Sequence, residues 1–191
     1  IRALDVATPV VVTGFGADTE SFHPLPGDLP EVRREFVYAG SYSPIHGADV
    51  FVTAFAAFSS TRPGYALRFI GNGTERELLM KLVADHHVSS VSFEPLIPPN
   101  ELARILGGAA ASLASVRPGT GYEYALATKA YSSLAAGTPV IFSGDGPTSD
   151  LINGLNDDGF RAGIAIAWDA ESVAEAMHQI ADEPASSAAR T

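Results

Sequence analysis

Six short apolar runs alternate along this chain with stretches whose apolar residues recur every three to four positions. The first run is residues 36–39 and the last is residues 163–167. Runs of this length suit buried strands, and the intervening periodicity is that of amphipathic helices. Such alternation is satisfied by right-handed crossovers, which build a parallel sheet covered by helices on both faces. The sequence therefore predicts an α/β fold: a Rossmann-like three-layer α/β/α domain with a mostly parallel sheet of about six strands.

The chain divides into three predicted segments. Residues 1–34 hold a first short strand, at 8–13, and an irregular proline-rich linker. Residues 35–183 carry the alternating pattern and are predicted to form one domain, which is long enough to bury its own core. Residues 184–191 are predicted to be a disordered tail.

Composition excludes several classes of function. The net charge of −10 disfavours nucleic acid and anionic membrane surfaces as partners, because binding to either needs clustered Lys and Arg. The absence of cysteine excludes disulfides, thiolate metal sites and a cysteine nucleophile, and it is compatible with a reducing cytoplasm. No apolar run approaches the ~18 residues of a membrane span. We therefore predict a cytoplasmic protein.

Glycines follow the predicted strands at a recurring place. In open parallel sheets, ligands bind beyond the carboxyl ends of the strands, where such turns let a ligand approach the backbone. The turns are at Gly40, Gly71, Gly121 and Gly144. Receiver and flavodoxin-like domains share this alternation, but a receiver would need an acidic cluster after its early strands, which the sequence lacks.

Residues 117–146 contain the strongest functional signal. A helix is predicted to begin at Thr128, capped by its hydroxyl, with glycines 119 and 121 just before it. Helix N-termini bind anions through free N–H groups and the helix dipole. One surface patch near this N-terminus would hold Lys129, Ser132 and Ser133. The pattern indicates a phosphate site, although spacing alone allows Lys129 to be a solvated surface lysine.

Two segments of the chain resemble one family. Residues 128–140, TKAYSSLAAGTPV, resemble the K-x-Y-E-x-x-A-x-G-x-P-V signature in the C-terminal domain of group 1 glycosyltransferases. Residues 14–24, GFGADTESFHP, are similar to the family's segment that joins its two domains. The family consists of two-domain (GT-B) enzymes that hold a nucleotide-sugar donor in the C-terminal domain. Ser132 stands where the family carries the second glutamate of its E-x7-E pair, Tyr124 stands at the first, and Glu123 is one residue out of register.

The loop after the first predicted strand resembles the family's G-R-x…K-G element, whose two cations usually clasp the donor diphosphate. Gly40 matches, but Ser41 stands at the arginine and His46 at the lysine. With an ordinary pKa near ~6.5, His46 would make phosphate binding pH-sensitive; alternatively, it is an exposed loop residue. Arg117 is either a further phosphate donor or a surface residue.

The resemblance implies a donor site and a role for each part of it. Lys129 and the backbone of Gly121 and Tyr122 would meet phosphate, residues 94–96 would lie beside the base, and Ser132 would face the ribose. The predicted donor-binding residues are Gly40, Ser41, His46, Gly71, Gly73, Glu94, Pro95, Leu96, Gly121, Tyr122, Glu123, Lys129 and Ser132.

The function implied is that of the C-terminal nucleotide-sugar-binding domain of a retaining glycosyltransferase that acts on a glycan or lipid acceptor. Such a domain needs no metal and no cofactor. Because the sequence starts at Ile1 without methionine, a missing N-terminal acceptor domain is expected. Membrane contact would be possible only through that missing part, and the fragment alone would be inactive. The alternative is a non-catalytic GT-B-like nucleotide-binding or scaffold domain. A related sugar-nucleotide epimerase would require a set of carboxylates and histidines that the sequence does not assemble.

Overall fold

The computed structural model describes residues 11, 15–24 and 32–183. The predicted alternation of six strands and six helices is present. None of the helices in these ranges is long and apolar enough to cross a membrane. In chain order the elements are β1 (Glu35–Ser41), α1 (Asp49–Thr61), β2 (Ala66–Asn72), α2 (Arg76–Asp85), β3 (Val91–Glu94), α3 (Pro99–Gly108), β4 (Ala111–Ser115), α4 (Thr128–Ala135), β5 (Val140–Ser143), α5 (Pro147–Asp157), β6 (Gly163–Ile166) and α6 (Ala170–Asp182).

All six strands form one sheet in the order β3-β2-β1-β4-β5-β6, and every neighbouring pair is parallel. The predicted fold class is therefore confirmed. The chain adds strands outward from β1 to β3, then crosses back and adds outward from β4 to β6. The adjacent strands β1 and β4 thus form the switch point of the sheet, where the loops beyond their carboxyl ends diverge and leave a crevice.

The side chains of β1 alternate between two helical layers. Phe36 and Tyr38 belong to the core cluster that includes buried residues of α1, α2 and α6. Val37 and Ala39 belong to the opposite cluster, which includes residues of α3. This alternation follows from the two-residue period of a strand. Because both faces are covered, β1 reads in the sequence as a continuous apolar run.

An aromatic cluster fixes the carboxyl end of β1. The ring centroid of Tyr38 lies 5.9 Å from those of Tyr42 and Phe51 and 5.5 Å from that of Phe69. Tyr38 and its three partners are fully buried, and aromatic pairs in this range add favourable energy beyond their buried area. The Tyr38 hydroxyl donates to the Ser41 carbonyl at 2.9 Å, which ties the ring to the end of its own strand.

Helix α4 differs from the prediction at its first turn. Thr128 is the first helical residue, Ala127 precedes it, and no side chain caps the helix. The N–H of Ala127 donates instead to the buried Thr148 hydroxyl of α5 at 2.9 Å. This bond holds Ala127 in an extended conformation, so the helix begins one residue earlier than expected. The predicted Thr128 cap is therefore wrong. Gly137 follows the helix with a φ of 75°, a left-handed conformation that suits glycine at a helix end.

Residues 15–24 pack against the domain. The Asp18 carboxylate accepts from the backbone N–H groups of Glu20 and Ser21 at 3.1 and 3.3 Å, which closes a local turn. Phe22 is buried in the cluster that contains Val37 and Ala39. Apart from residue 11, the predicted strand at 8–13 lies outside the described residues, as does the tail at 184–191, and both stay predictions.

Candidate functional site

A cavity of about 370 Å³ opens at the carboxyl end of β1, between the loops and helices that follow the strands. We call it the edge cavity. It lies beside the switch point, where parallel sheets bind ligands. The predicted site residues that line it are Gly40, Ser41, His46, Leu96, Lys129 and Ser132. The structure thus brings together residues from three separate parts of the sequence.

One side of the edge cavity is apolar. It is formed by Phe22 from the N-terminal segment, Ile70 from β2, and Leu102 and Leu106 from α3. The sequence analysis did not assign these residues to the site. Phe22 had a signal, because it is a matched position of the interdomain segment, whereas the α3 leucines are indistinguishable in sequence from other core positions. The cavity therefore joins an apolar wall to a polar one, as ligand pockets commonly do.

Lys129 reaches from α4 across the end of β1. A Cβ built on Gly40 would lie 3.4 Å from Lys129 Cε and 3.5 Å from Nζ, so the glycine borders the lysine closely. The Nζ atom donates to the Tyr38 hydroxyl at 2.7 Å and lies 4.1 Å from the centroid of its ring. We call Tyr38, Gly40 and Lys129 the lysine corner. Tyr38 was not predicted for the site, because its only signal in the sequence is a hydroxyl within an otherwise apolar strand.

The ammonium of Lys129 has no acidic partner. Among the described residues, no carboxylate lies within ion-pair distance of it, and burial alone lowers the pKa of Lys129 to about 7. Lys81, the other lysine of the chain, is exposed and pairs with Asp85 at 2.5 Å. An unpaired ammonium beside a cavity favours an anionic ligand, because a bound anion would compensate the lost hydration. The lysine is therefore neither salt-bridged nor a fully solvated surface residue.

His46 faces the same cavity, but it is not the pH-sensitive group that the sequence suggested. Burial, followed by the positive charge of Lys129, lowers the pKa of His46 to about 4. Its Nδ1 lies 2.7 Å from the Ser43 hydroxyl. The imidazole is therefore neutral across the physiological range, and the expectation of titration near ~6.5 is wrong. A neutral imidazole can still offer one N–H to an anion.

The serines of α4 have different surroundings. Ser132 lines the edge cavity, as predicted from its place in the signature. Ser133 also borders it but is almost fully buried, and its hydroxyl is hydrogen-bonded to the Ser112 hydroxyl and the Lys129 carbonyl, each at 2.8 Å. Ser133 thus faces β4 rather than the predicted surface patch. The reason is that two small hydroxyls satisfy each other there, which lets a polar side chain occupy an interior position.

Residues 117–124, which we call the glycine loop, are arranged around an internal carboxylate. The Glu123 carboxylate accepts from the backbone N–H of Gly119 at 2.5 Å and of Thr120 at 3.1 Å. Backbone hydrogen bonds lower the pKa of Glu123. Tyr122 is exposed and stacks on Tyr124 with ring centroids 6.2 Å apart. Gly121, Tyr122 and Glu123 are outside the lining of the edge cavity, and their donor role stays a prediction.

Arg117 is partly buried and is engaged by other residues of the domain. Its guanidinium forms an ion pair with Asp49 of α1 and stacks over the Trp168 ring, 4.9 Å from the centroid. Its backbone N–H donates to the Ile45 carbonyl at 2.8 Å. Arg117 therefore ties the loop after β1 to the end of β4. Arg117 is not among the residues that line the edge cavity.

The remaining predicted residues lie beside the edge cavity. A smaller hollow of about 260 Å³ is lined by Gly71, Glu94, Pro95 and Leu96, among others. The Glu94 carboxylate is held by the Arg68 guanidinium through two hydrogen bonds of 2.9 and 2.8 Å, and these bonds lower the pKa of Glu94. Glu94 is therefore fixed as a carboxylate at the end of β3.

Gly71 and Gly73 are required by packing. A Cβ on Gly71 would lie 2.1 Å from the Gly40 carbonyl oxygen, and one on Gly73 would lie 2.1 Å from that of Tyr42. No side chain fits at such distances. These glycines bring the ends of β1 and β2 together, so they shape the floor beside the cavity whether or not they contact a ligand.

The sequence identifies the family. Residues 33–183 match the family described as Glycosyl transferases group 1. The chain therefore belongs to the group 1 glycosyltransferases, and the resemblance stated from the signature is confirmed. The D-inositol 3-phosphate glycosyltransferase of Acidothermus cellulolyticus is 32% identical over 145 residues, which are 66% of this chain and 31% of that protein. The chain thus spans under a third of the length of that relative.

Solved structures agree on the fold. The pneumococcal O-GlcNAc transferase in complex with UDP and GlcNAc has a TM-score of 0.68 at 16% identity, covering 89% of this chain and 33% of that one. The C-terminal domain of a group 1 glycosyl transferase from Francisella tularensis has a TM-score of 0.67 at 17% identity, covering 92% and 91%. The domain therefore has the architecture of one half of a GT-B enzyme.

Proposed function

We propose that this domain binds the nucleoside-diphosphate sugar donor of a retaining glycosyltransferase in the edge cavity. The observation that carries the proposal is Lys129, an ammonium that borders the cavity with no acidic partner among the described residues. A donor diphosphate supplies the missing negative charge. A charge-assisted hydrogen bond from lysine to phosphate is stronger than a neutral one, particularly where water is partly excluded.

The other groups around the cavity support a direction for the donor. The diphosphate lies at Lys129 and the N-terminus of α4, with His46 as a neutral donor. Ser132 is one turn along α4 and faces the ribose, where it offers a single hydroxyl in place of a carboxylate. The nucleobase lies toward Leu96 and the hollow beside Glu94. Because serines replace charged family residues at two positions, we expect weak donor affinity.

The proposed chemistry is transfer of a hexosyl group with retention at its anomeric carbon. The bond from that carbon to the diphosphate oxygen breaks, a bond to an acceptor hydroxyl oxygen forms on the same face, and the proton of that hydroxyl passes to the leaving diphosphate. Lys129 and helix N–H groups stabilise the charge of the leaving diphosphate, and no metal is needed in this proposal. The described residues contain no group of three His, Asp or Glu placed to hold a metal ion. An N-terminal domain would supply the acceptor, a glycan or a lipid, in the cytoplasm.

Calorimetry with UDP, GDP and their sugar derivatives tests donor binding by this chain. We expect one of the two nucleotide series to bind the wild type, and Lys129→Met to weaken that binding by roughly tenfold or more. The matched control is Lys81→Met, which removes the chain's other lysine at an exposed position and should change the affinity by less than about twofold. Absence of binding by the wild type to every member of both series would overturn the proposal.

The second candidate is a non-catalytic scaffold domain of the same fold. Two observations favour it: Ser41 and Ser132 border the cavity where the family carries charged residues, and the Glu123 carboxylate occupies N–H groups of the glycine loop. A scaffold would fold with the same stability but bind none of the nucleotides. The calorimetric series therefore separates the two candidates in one experiment.

A further inference from the structure

Tyr38 is a buried tyrosine whose hydroxyl forms two hydrogen bonds. Its ring is inaccessible to solvent and packs among Tyr42, Phe51 and Phe69. Its hydroxyl oxygen accepts from Lys129 Nζ at 2.7 Å, while its proton is donated to the Ser41 carbonyl at 2.9 Å. The hydroxyl thus accepts one hydrogen bond and donates its single proton in the other. The direction of the Lys129 ammonium is therefore linked to a rigid part of the core.

The hydroxyl holds the lysine without cancelling its charge. A carboxylate at the same place would neutralise the ammonium and compete with an incoming anion. Burial raises the pKa of Tyr38 far above its ordinary value, so the phenol stays neutral. His46, whose pKa is lowered by burial and by the charge of Lys129, is neutral above that low pKa. The positive charge of Lys129 is thus oriented and left unpaired.

We propose that Tyr38 is a positioning residue for donor binding: it holds the Lys129 ammonium beside Gly40 so that a diphosphate meets a pre-oriented charge. The inference rests on the proposed function. A lysine has many rotamers, and fixing one of them before the ligand arrives removes part of the entropic cost of binding. The prediction is that Tyr38 contributes to anion affinity only through Lys129.

A double-mutant cycle tests this dependence. Pyrophosphate, which avoids any contribution from a base or sugar, is titrated calorimetrically at pH 6, below the Lys129 pKa of about 7, into wild type, Tyr38→Phe, Lys129→Met and the double variant. We expect Tyr38→Phe to weaken binding roughly threefold to tenfold in the wild type, and less than about twofold in Lys129→Met. A hydroxyl that merely supports the fold would have the same effect in both backgrounds.

Tyr42→Phe is the matched control. Tyr42 belongs to the same aromatic cluster and is equally buried, but its hydroxyl has no hydrogen-bond partner among the described residues. Loss of that hydroxyl should leave pyrophosphate affinity within about twofold of the wild type, because no bond is broken. Thermal unfolding of all variants checks that each one is folded.

A second measurement reports on Lys129 directly. The chain contains only two lysines, so carbon-13 labelling of lysine gives one reporter in the site and one, Lys81, on the surface. Tyr38→Phe removes an acceptor that favours the charged ammonium, so the pKa of Lys129 should fall further, and the Lys81 signal serves as the internal reference. The same titration on Tyr42→Phe should show no such shift.

Each outcome has one meaning. Non-additive loss in the cycle, with the shift confined to Lys129, supports the inference. If Lys129→Met weakens binding and Tyr38→Phe does not, the inference is overturned while the proposed function stands. Equal losses from Tyr38→Phe in both backgrounds also overturn it, because Tyr38 would then act on the fold. If the wild type binds neither pyrophosphate nor any nucleotide, both proposals are overturned.

Discussion

The lysine corner and the glycine loop were both expected to contact phosphate, and the structure gives them opposite electrostatic states. In the corner, the Lys129 ammonium contacts a neutral hydroxyl and has no acidic partner. In the loop, N–H groups that an anion could use are already bonded to the carboxylate of Glu123. One region therefore presents an uncompensated charge, whereas the other supplies its own anion.

The contrast between the lysine corner and the glycine loop shows that residue type alone does not define an anion site. Glycines before a helix and a lysine within it both predict phosphate binding, but the affinity of each depends on whether the protein provides a competing partner. A diphosphate that uses the lysine corner displaces only water. A diphosphate that uses the glycine loop must also displace Glu123. We therefore expect the corner to dominate binding.

Reversal of the charge in the lysine corner should give the largest effect. Lys129→Glu places a carboxylate beside the expected diphosphate, so attraction becomes repulsion in a partly buried site. We expect affinity for the bound nucleotide to fall by roughly 100-fold or more in calorimetry. Lys81→Glu makes the same charge change on the surface and should have little effect. Retention of wild-type affinity by Lys129→Glu would mean that the two regions have been ranked wrongly.

Substitution of Gly40, the glycine of the lysine corner, should give the second-largest effect. Gly40 has a φ of 132°, where a side chain is strained, so Gly40→Ala should lower the free energy of unfolding by about 1–3 kcal/mol. Gly154 of α5 has open space around it and no positive φ, so Gly154→Ala should raise stability by about 0.5–1 kcal/mol. Chemical denaturation measures both. Equal effects would indicate that Gly40 is no more constrained than a helical glycine.

The charge of the corner should also cost stability in a defined pH window. The pKa of Lys129 falls from 10.5 to about 7 on folding. Between these values the unfolded chain holds a proton that the folded chain has lost, so this group makes stability rise with pH. The cost is complete below pH 7 and absent above 10.5. Relative to the wild type, Lys129→Met should therefore raise the free energy of unfolding by about 1–2 kcal/mol more at pH 6.5 than at pH 10, after allowance for partial exposure.

Urea denaturation at the two pH values measures that difference. Lys81→Met, which removes a lysine from the surface, is the matched control at both pH values. A pH-independent effect of Lys129→Met would contradict the burial of an unpaired charge and would remove the main contrast with the glycine loop.

The sequence predicted the architecture more completely than the contacts within the candidate site. All six strands were predicted from the apolar periodicity and from the glycines that end the elements. Both signals lie within short stretches of the sequence. Lys129 and His46 were placed at one edge of the sheet because parallel strands end together. Tyr38 was missed because strand periodicity gives the direction of a side chain but not the partner of its hydroxyl.

The errors have a common physical origin. The pKa of His46 depends on burial and on the charge of Lys129, which is 83 positions away in the sequence but acts on the same cavity. The sequence allowed Arg117 to be a phosphate donor or a surface residue. Its contacts with Asp49 and Trp168 arise only when the end of β4 meets α1 and the segment after β6. Such long-range pairings leave no periodic trace in the chain.

The smallest expected effect is on the glycine loop, where, in contrast to Lys129→Glu, the substitution should strengthen binding. Glu123→Gln keeps the size and the oxygen acceptor of the side chain but removes its charge, so the loop N–H groups are released more readily to a diphosphate. We expect pyrophosphate to bind roughly twofold to threefold more tightly in calorimetry, because hydrogen bonds to a neutral acceptor are weaker than those to an anion. Glu175→Gln on the exposed side of α6 makes the same change in net charge and should be neutral. Tighter binding in both variants would reflect the overall charge of the protein, whereas weaker binding in Glu123→Gln would mean that the carboxylate shapes the loop for its ligand and does not compete with it.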